Sequence, residues 1–283
     1  MSSSRLSLLL LCNVFWSSSY AISKSLMETY SPMEIAFLRF FTAGVPLAIY
    51  CAFFRAPGAK RSYYAAWLAD LRPLDLRLVT VGLLTFFVSP YCQLMLGERL
   101  RARQLVSIAL ALVGASIVSD LTWDKLRSFS DARLVGNSIF FVSMLSEAAY
   151  SAVAKPVLDR RAPVLFLGVA VWVGIALLFS YNMIVDGPAR MAGLVPLFQR
   201  ANPLDFAILA HLGLGCTVFG YLCWMIALTD TPVSVIAVTL YLQPVLGVFW
   251  GHLILREAIT MSTFTGGALL LLAVWLGSRL RRV

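Results

Sequence analysis

The chain has 283 residues, a mass of 31.2 kDa and a mean hydropathy of +0.82, with 60% hydrophobic and 13% charged residues. A soluble domain is about 45–50% apolar and about 25% charged, so one water-soluble core cannot hide this surface; a secreted domain, a nucleic-acid binder and a disordered chain are excluded. Lys plus Arg number 23 against 14 acidic residues, a net charge of +9, which fits cationic loops facing anionic lipid.

A membrane-spanning helix needs about 20 mostly apolar residues. Nine stretches qualify in chain order: 6–27, 32–53, 76–97, 104–120, 134–157, 163–185, 206–228, 233–255 and 261–279. The first resembles a signal peptide, but the bulky Leu11 before Cys12 and the further apolar segments make it a retained span. The longest polar stretches, 54–75 and 186–205, are too short to fold alone. Tyr63, Tyr64, Trp67 and Trp123 sit near predicted helix ends, where amphipathic rings meet headgroups. No window has the ten-residue alternation of a β-barrel. Cys12, Cys51, Cys92, Cys216 and Cys223 have no paired spacing and read as buried hydrophobes. His211 and His252 are the only histidines, too few for a zinc site.

The chain repeats itself. At an offset of 131, Lys24 falls on Lys155 and Pro32 on Pro163; at 130, Tyr91 falls on Tyr221 and Met95 on Met225. Leu96-Gly97-Glu98 then resembles Leu255-Arg256-Glu257 at an offset of 159, and Val113-Gly114-Ala115 sits in a helix like that of Gly266-Gly267-Ala268. The halves are 1–120 and 131–283. The jump from 130 to 159 leaves 29 residues of the second half unmatched, one span with its connection. A fourth helix is therefore expected to be absent between Met95 and Leu96, the partner of the helix holding Leu242-Gln243-Pro244-Val245.

Charge tests this. With ten spans and both ends cytoplasmic, Arg5, the five basic residues of 54–77, Arg99, Arg101, Arg103, Lys155, Arg160, Arg161, Arg279, Arg281 and Arg282 face inward, 15 against 6 outside. Nine spans give 12 against 9, and the positive-inside rule prefers ten. An odd number of spans per half also makes the halves inverted. The expected fold is an all-α polytopic membrane protein of two inverted five-helix repeats, with nine helices evident in the chain.

No G-x-S-x-G, H-E-x-x-H, Walker or dinucleotide-binding motif occurs, so the chain reads as no enzyme and as encoding no ATP-driven pump. Gly247–Gly251 forms a G-x-x-x-G that permits close helix packing. Ionisable residues inside spans cost about 2.5–3.5 kcal/mol each at mid-bilayer. Glu147 lies in the middle of the fifth stretch and Arg39 two turns into the second; each is a candidate for substrate or proton contact, or a structural partner that orients helices. Lys24 and Lys155 lie near helix ends and can snorkel. Trp16, Tyr20, Tyr91, Tyr150, Tyr221, Trp224 and Tyr241 lie within spans, interleaved with Asn13, Ser17, Ser18, Ser19, Ser89, Gln93, Ser143, Ser146, Thr239 and Gln243. Such groups should face protein or a wet cavity. Each alone reads as packing; together they suit a small solute with an apolar body and polar ends. Pro90 and Pro244 are expected to interrupt their helices near the midplane.

Asn13…Trp16-Ser17, Pro32 with Arg39, Glu98 after an apolar helix, Gln243-Pro244 and the closing Arg256-Glu257 resemble the EamA-like branch of the drug/metabolite transporter (DMT) superfamily. The chain is most similar to bacterial aromatic amino-acid exporters of the YddG type. The resemblance implies ten helices in two inverted repeats, a central cavity, and export of amino acids and related metabolites. The missing fourth helix departs from that pattern.

The expected function is export of small metabolites, amino acids with aromatic ones favoured, by alternating access across the bacterial inner membrane, with both termini cytoplasmic. A nucleotide-sugar or other metabolite carrier is the alternative in the same class, though only Arg39 and Lys155 offer charge for phosphate. An intramembrane enzyme needs a clustered nucleophile and base, and a scaffold would not need the polar midplane. The expected substrate site is Trp16, Tyr91, Gln93, Glu147, Tyr150, Tyr221, Trp224 and Tyr241. No cofactor, metal or nucleic acid is implied; the partners are a small-molecule substrate and the lipid bilayer, and a monomer is the working expectation.

Overall fold

The computed structural model describes residues 3–56, 59–69, 102–118, 154–185, 187–189, 202–231, 236, 239–256 and 258–278. These form helices α1 (Ser3–Leu26), α2 (Pro32–Phe53), α3 (Tyr63–Ala69), α4 (Ala102–Val118), α5 (Pro163–Val185), α6 (Pro203–Asp230), α7 (Leu242–Leu255) and α8 (Met261–Ser278). Residues 154–158 are also helical. Among the described residues there is no strand, only an isolated antiparallel bridge between Arg55 and Ser62. α1, α2, α5 and α6 are long and apolar enough to cross a bilayer; the 22 residues of α2 rise about 33 Å, against about 30 Å of hydrocarbon.

The sequence explains where two of these helices start. Ser31 accepts a hydrogen bond from the Glu34 amide at 3.3 Å while the Ser31 amide donates to Glu34 Oε2 at 2.7 Å, and Pro32 fills the first turn, where its missing N–H costs nothing. α6 repeats the device: Asn202 Oδ1 accepts from the Leu204 amide at 2.8 Å, the Asn202 amide donates to Asp205 Oδ2 at 3.2 Å, and Pro203 follows. Both caps lie beside Tyr30, which is 2% exposed. Burial pushes the Tyr30 phenol above its usual range, and the carboxylates of Asp205 and Glu34 push it the same way.

One apolar core joins α1, α2, α5 and α6 through Leu9, Cys12, Leu26, Leu47, Val171 and Leu212 among others. A smaller cluster of Ala111, Leu270 and Ala273 joins α4 to α8. The contacts give the helix directions. Arg5 is paired with Asp230, whereas Ser18 meets His211, so α1 and α6 are antiparallel. A Cβ at Gly44 would sit 2.6 Å from Ile175 Cδ1, and seven residues later Cys51 Sγ lies 3.7 Å from Val164 O; α2 and α5 are antiparallel. Ser107 Oγ donates to Ala273 O at 2.7 Å, and a Cβ at Gly114 would come within 2.9 Å of Gly266 O. α4 and α8 are therefore antiparallel too, with backbones close enough that only glycine fits the crossing. Gly44 and Ile175 are related by the 131-residue offset seen in the sequence.

The bundle has a strongly cationic end. Arg5, Asp230 and Thr231 gather there, with Lys155 Nζ donating to Thr231 O at 2.9 Å. The end of α2, helix α3 and the start of α5 meet at the same end, where Tyr63 stacks on Tyr50 at 6.0 Å and a Cβ at Gly168 would lie 3.3 Å from the Tyr64 hydroxyl. Arg5, Arg55, Lys60, Arg61, Lys155, Arg160 and Arg161 therefore lie at one end, while the opposite end carries Lys24 with Glu28, Glu34 and Asp205.

Residues 236 and 239 are helical, 240 and 241 form a turn, and a new helix, α7, begins at Leu242 with Pro244 in its first turn, so the 233–255 stretch is interrupted at Pro244 as expected. Among the described residues Pro46 lies inside a helix, α2, without ending it. Other expectations change. Tyr20 is 56% exposed and takes no part in the interior. Among the described residues nothing lies within 4 Å of a Cβ at Gly247, while Gly114 and Gly266 form a close crossing. Met95, Leu96, Cys92, Pro90 and Trp123 lie outside the described residues. Cys12, Cys51, Cys216 and Cys223 are free and buried, as packing thiols should be.

Candidate functional site

The polar residues of α1 turn inward. Asn13, Ser17 and Ser18 are essentially fully buried and Ser19 nearly so. Ser17, Ser18 and Ser19 each donate back to the carbonyl three residues earlier, at 2.7–3.0 Å, which satisfies their hydroxyl protons within the helix. Asn13 Nδ2 donates to Leu9 O at 2.7 Å and contacts Thr239 Oγ1 at 3.4 Å, while Asn13 Oδ1 is buried with no partner among the described residues.

Facing this stripe, α6 changes its winding. Pro203–Ala210 is α-helical, His211–Phe219 is a π-helix, and Gly220–Asp230 is α-helical again. π-helical turns are rare and concentrate at functional sites. Here the wider winding lets Thr217 Oγ1 donate to Leu212 O, five residues back, at 3.0 Å. The same oxygen accepts from Arg39 Nε at 2.9 Å. His211 Nε2 lies 2.9 Å from Ser18 Oγ, and its ring stacks on Phe15 with centroids 5.6 Å apart. His211 is thus a hydrogen-bonded interior histidine.

The aromatic residues meet one turn further along. Trp16, 6% exposed, donates its indole N–H to Cys216 O at 2.9 Å. Its ring lies 4.8 Å from that of Tyr221 and 5.2 Å from that of Trp224, within the range of favourable aromatic pairs. Gly220 makes room for it: a Cβ there would stand 2.7 Å from Trp16 Nε1.

Four of the eight expected site residues are thereby located. Trp16, Tyr221 and Trp224 come together at the α1–α6 contact. Tyr241 does not join them; it packs beside Val245 on the α4–α8 cluster. Tyr91, Gln93, Glu147 and Tyr150 lie outside the described residues. The π segment and the Arg39–Thr217 bond were not anticipated. The signal available was Gly213, Gly215 and Gly220 spaced through one apolar helix beside Thr217. Among the described residues no group of three or more His, Cys, Asp or Glu could hold a metal ion.

The described residues form an all-helical bundle with four apolar spans and a buried polar stripe, that of a multi-pass membrane protein. The sequence profile of the EamA-like transporter family matches residues 4–95 and 134–279, and the chain belongs to that family, within the drug/metabolite transporter superfamily. It is 24% identical to a probable amino-acid metabolite efflux pump of Escherichia coli over 284 aligned residues, covering 95% of this chain and 93% of the relative. A probable amino-acid metabolite efflux pump of Salmonella typhimurium is 20% identical, with 97% and 96% covered. An uncharacterized transporter of Archaeoglobus fulgidus is 26% identical over 203 residues, with 72% and 67% covered. A protein of known crystal structure superposes with a TM-score of 0.64 at 16% identity, covering 98% of this chain and 97% of that one, a likeness of fold. The protein is a membrane transporter of small molecules.

Proposed function

We propose that this transporter exports small metabolites across the bacterial inner membrane, chiefly amino acids and with aromatic ones favoured. The observation that carries this reading is the Trp16–Tyr221–Trp224 cluster, packed where α1 meets α6 and bordered by the buried polar stripe. Aromatic faces beside hydroxyl and amide groups fit a solute with an apolar ring and a polar head. The two probable amino-acid metabolite efflux pumps that resemble nearly the whole chain support amino-acid metabolites as the solute class.

The mechanism is alternating access between two inverted repeats. Two pairs of equivalent helices, α2 with α5 and α4 with α8, cross antiparallel, as an inverted repeat requires of helices beside its pseudo-two-fold axis. Such crossings suit rocking of one repeat against the other.

The cationic end is cytoplasmic by the positive-inside rule, which puts Arg5 and the N-terminus inside. Both termini are cytoplasmic in this topology. The same end bears on the absent fourth helix between Met95 and Leu96. Arg61 and Lys155 lie at one end, an arrangement that an even number of spans between them would give, whereas the sequence between them holds three apolar stretches, 76–97, 104–120 and 134–157.

The test is efflux of radiolabelled phenylalanine, and of a non-aromatic amino acid, from liposomes carrying only this protein. Faster phenylalanine efflux than from protein-free liposomes supports the reading; movement of a nucleotide sugar instead would replace it with a nucleotide-sugar carrier.

A further inference from the structure

We propose that Arg39 is the carboxylate-binding group of the transport site, and that Thr217 of the π-helical segment holds it ready for that anion. The inference rests on the exporter reading above and names the part of the substrate that Arg39 takes.

The hydrogen-bond arithmetic leaves little else for Arg39 to do. A threonine hydroxyl has one proton, and Thr217 spends it on Leu212 O at 3.0 Å. Its oxygen is therefore free to accept, and it accepts from Arg39 Nε at 2.9 Å. That bond uses one of five guanidinium donors. The four Nη hydrogens have no acceptor among the described residues, and neither does the charge have a carboxylate partner there. A guanidinium within a spanning helix is costly unless an anion compensates it. His211 and Cys216, which flank Thr217, offer no negative charge.

The free edge of a guanidinium whose Nε is already tied is a planar pair of donors, the geometry that takes a carboxylate in two parallel bonds. The surroundings hold it still. Thr217 is fully buried. A Cβ at Gly213 would lie 3.1 Å from Arg39 O, so the π segment lies directly against the backbone that carries Arg39. The spacing also fits an aromatic amino acid. Thr217 meets Arg39 of α2, while Tyr221 and Trp224, four and seven residues further along α6, meet Trp16 of α1. Thr217 and Tyr221 are separated by at most about 6 Å along the axis, comparable to the span between the carboxylate and the ring of phenylalanine. With its carboxylate on Arg39, such a solute can lay its ring toward Tyr221 and Trp224.

The experiment measures binding of phenylalanine, 3-phenylpropionate and phenethylamine to purified wild-type, Arg39→Gln, Arg39→Lys and Thr217→Val protein, alongside phenylalanine efflux from proteoliposomes. The first two ligands keep the carboxylate and the third lacks it. Arg39→Gln is expected to weaken both carboxylate ligands by at least about tenfold and to leave phenethylamine as in the wild type. Arg39→Lys, which keeps the charge but not the fork, should fall between, and Thr217→Val should weaken the carboxylates by a smaller factor. Wild-type phenylalanine binding in Arg39→Gln, equal losses for all three ligands, or a wild type that binds no carboxylate would overturn the assignment. If phenylalanine efflux is normal in Arg39→Gln, the exporter reading stands and the Arg39 role fails. If the wild type binds 3-phenylpropionate through Arg39 yet moves no amino acid, the subsite stands and the exporter reading fails.

Discussion

Trp16 of α1 donates its indole N–H to the carbonyl oxygen of Cys216 in the π-helical stretch of α6, at 2.9 Å, and so ties α1 to α6. The same contact brings the Trp16 ring against Tyr221 and Trp224. Trp16→Phe keeps a ring in place but leaves Cys216 O without that donor, so it should cost about 1–3 kcal/mol of stability. Trp16→Ala should cost about 3–5 kcal/mol. Denaturant unfolding of the detergent-solubilised protein, followed by tryptophan fluorescence, checks both. A Phe variant as unstable as the Ala variant would mean that the hydrogen bond, and not the packing, dominates.

Gly114 and Gly266 set the α4–α8 crossing. A Cβ at Gly266 would lie 2.6 Å from Gly114 O, and Gly114 and Gly266 face backbone atoms that cannot swing aside. Gly114→Ala and Gly266→Ala should each destabilise by about 1–3 kcal/mol through overpacking. Gly174 is the control, because nothing lies within 4 Å of its Cβ position; Gly174→Ala should be stabilising by up to about 1 kcal/mol from helix propensity. Thermal denaturation midpoints of the three variants should order accordingly.

Much of this was legible in the sequence. Apolar length placed α2 and α5 to the residue, because mostly apolar runs of 22 and 23 residues begin at Pro32 and Pro163. The 131-residue offset that sets Pro32 on Pro163 also relates Gly44 to Ile175, which meet where α2 crosses α5. What stayed hidden was contact-dependent. Nothing in a hydropathy pattern separates the buried Trp16 from the exposed Tyr20, four residues away on the same helix, since both rings are apolar enough for either environment. Tyr241 looked like a cavity residue for the same reason and packs on α4 and α8. A π-helix keeps the composition of an α-helix, so His211–Phe219 was invisible until Thr217 was seen bonded to Leu212.

Tyr30 carries a buried hydroxyl with no hydrogen-bond partner among the described residues. Deleting an unsatisfied buried hydroxyl removes a desolvation penalty without losing a bond. Tyr30→Phe should therefore be neutral or raise stability by up to about 1 kcal/mol, read as a midpoint shift in the same denaturant assay. A loss above 1 kcal/mol would reveal a partner for the phenol.

The cationic end predicts orientation. Reporter fusions at Val283, and cysteine labelling at Lys60→Cys and at Glu28→Cys in a background without the native cysteines, should place Val283 and position 60 in the cytoplasm and position 28 outside. A Val283 fusion active only in the periplasm would reverse the topology and weaken the inverted-repeat argument.

The most direct test of transport by the α1–α6 site is efflux of radiolabelled phenylalanine from liposomes containing wild-type, Tyr221→Ala or Trp224→Ala protein at equal density. Each lost ring pair removes about 0.5–1.5 kcal/mol beyond its buried area, so each variant should lower efflux at subsaturating substrate by about two- to tenfold from that pair alone and shift preference away from aromatic solutes. Wild-type efflux and unchanged substrate preference in both variants would contradict the account, leaving the rings as packing and the transport site elsewhere.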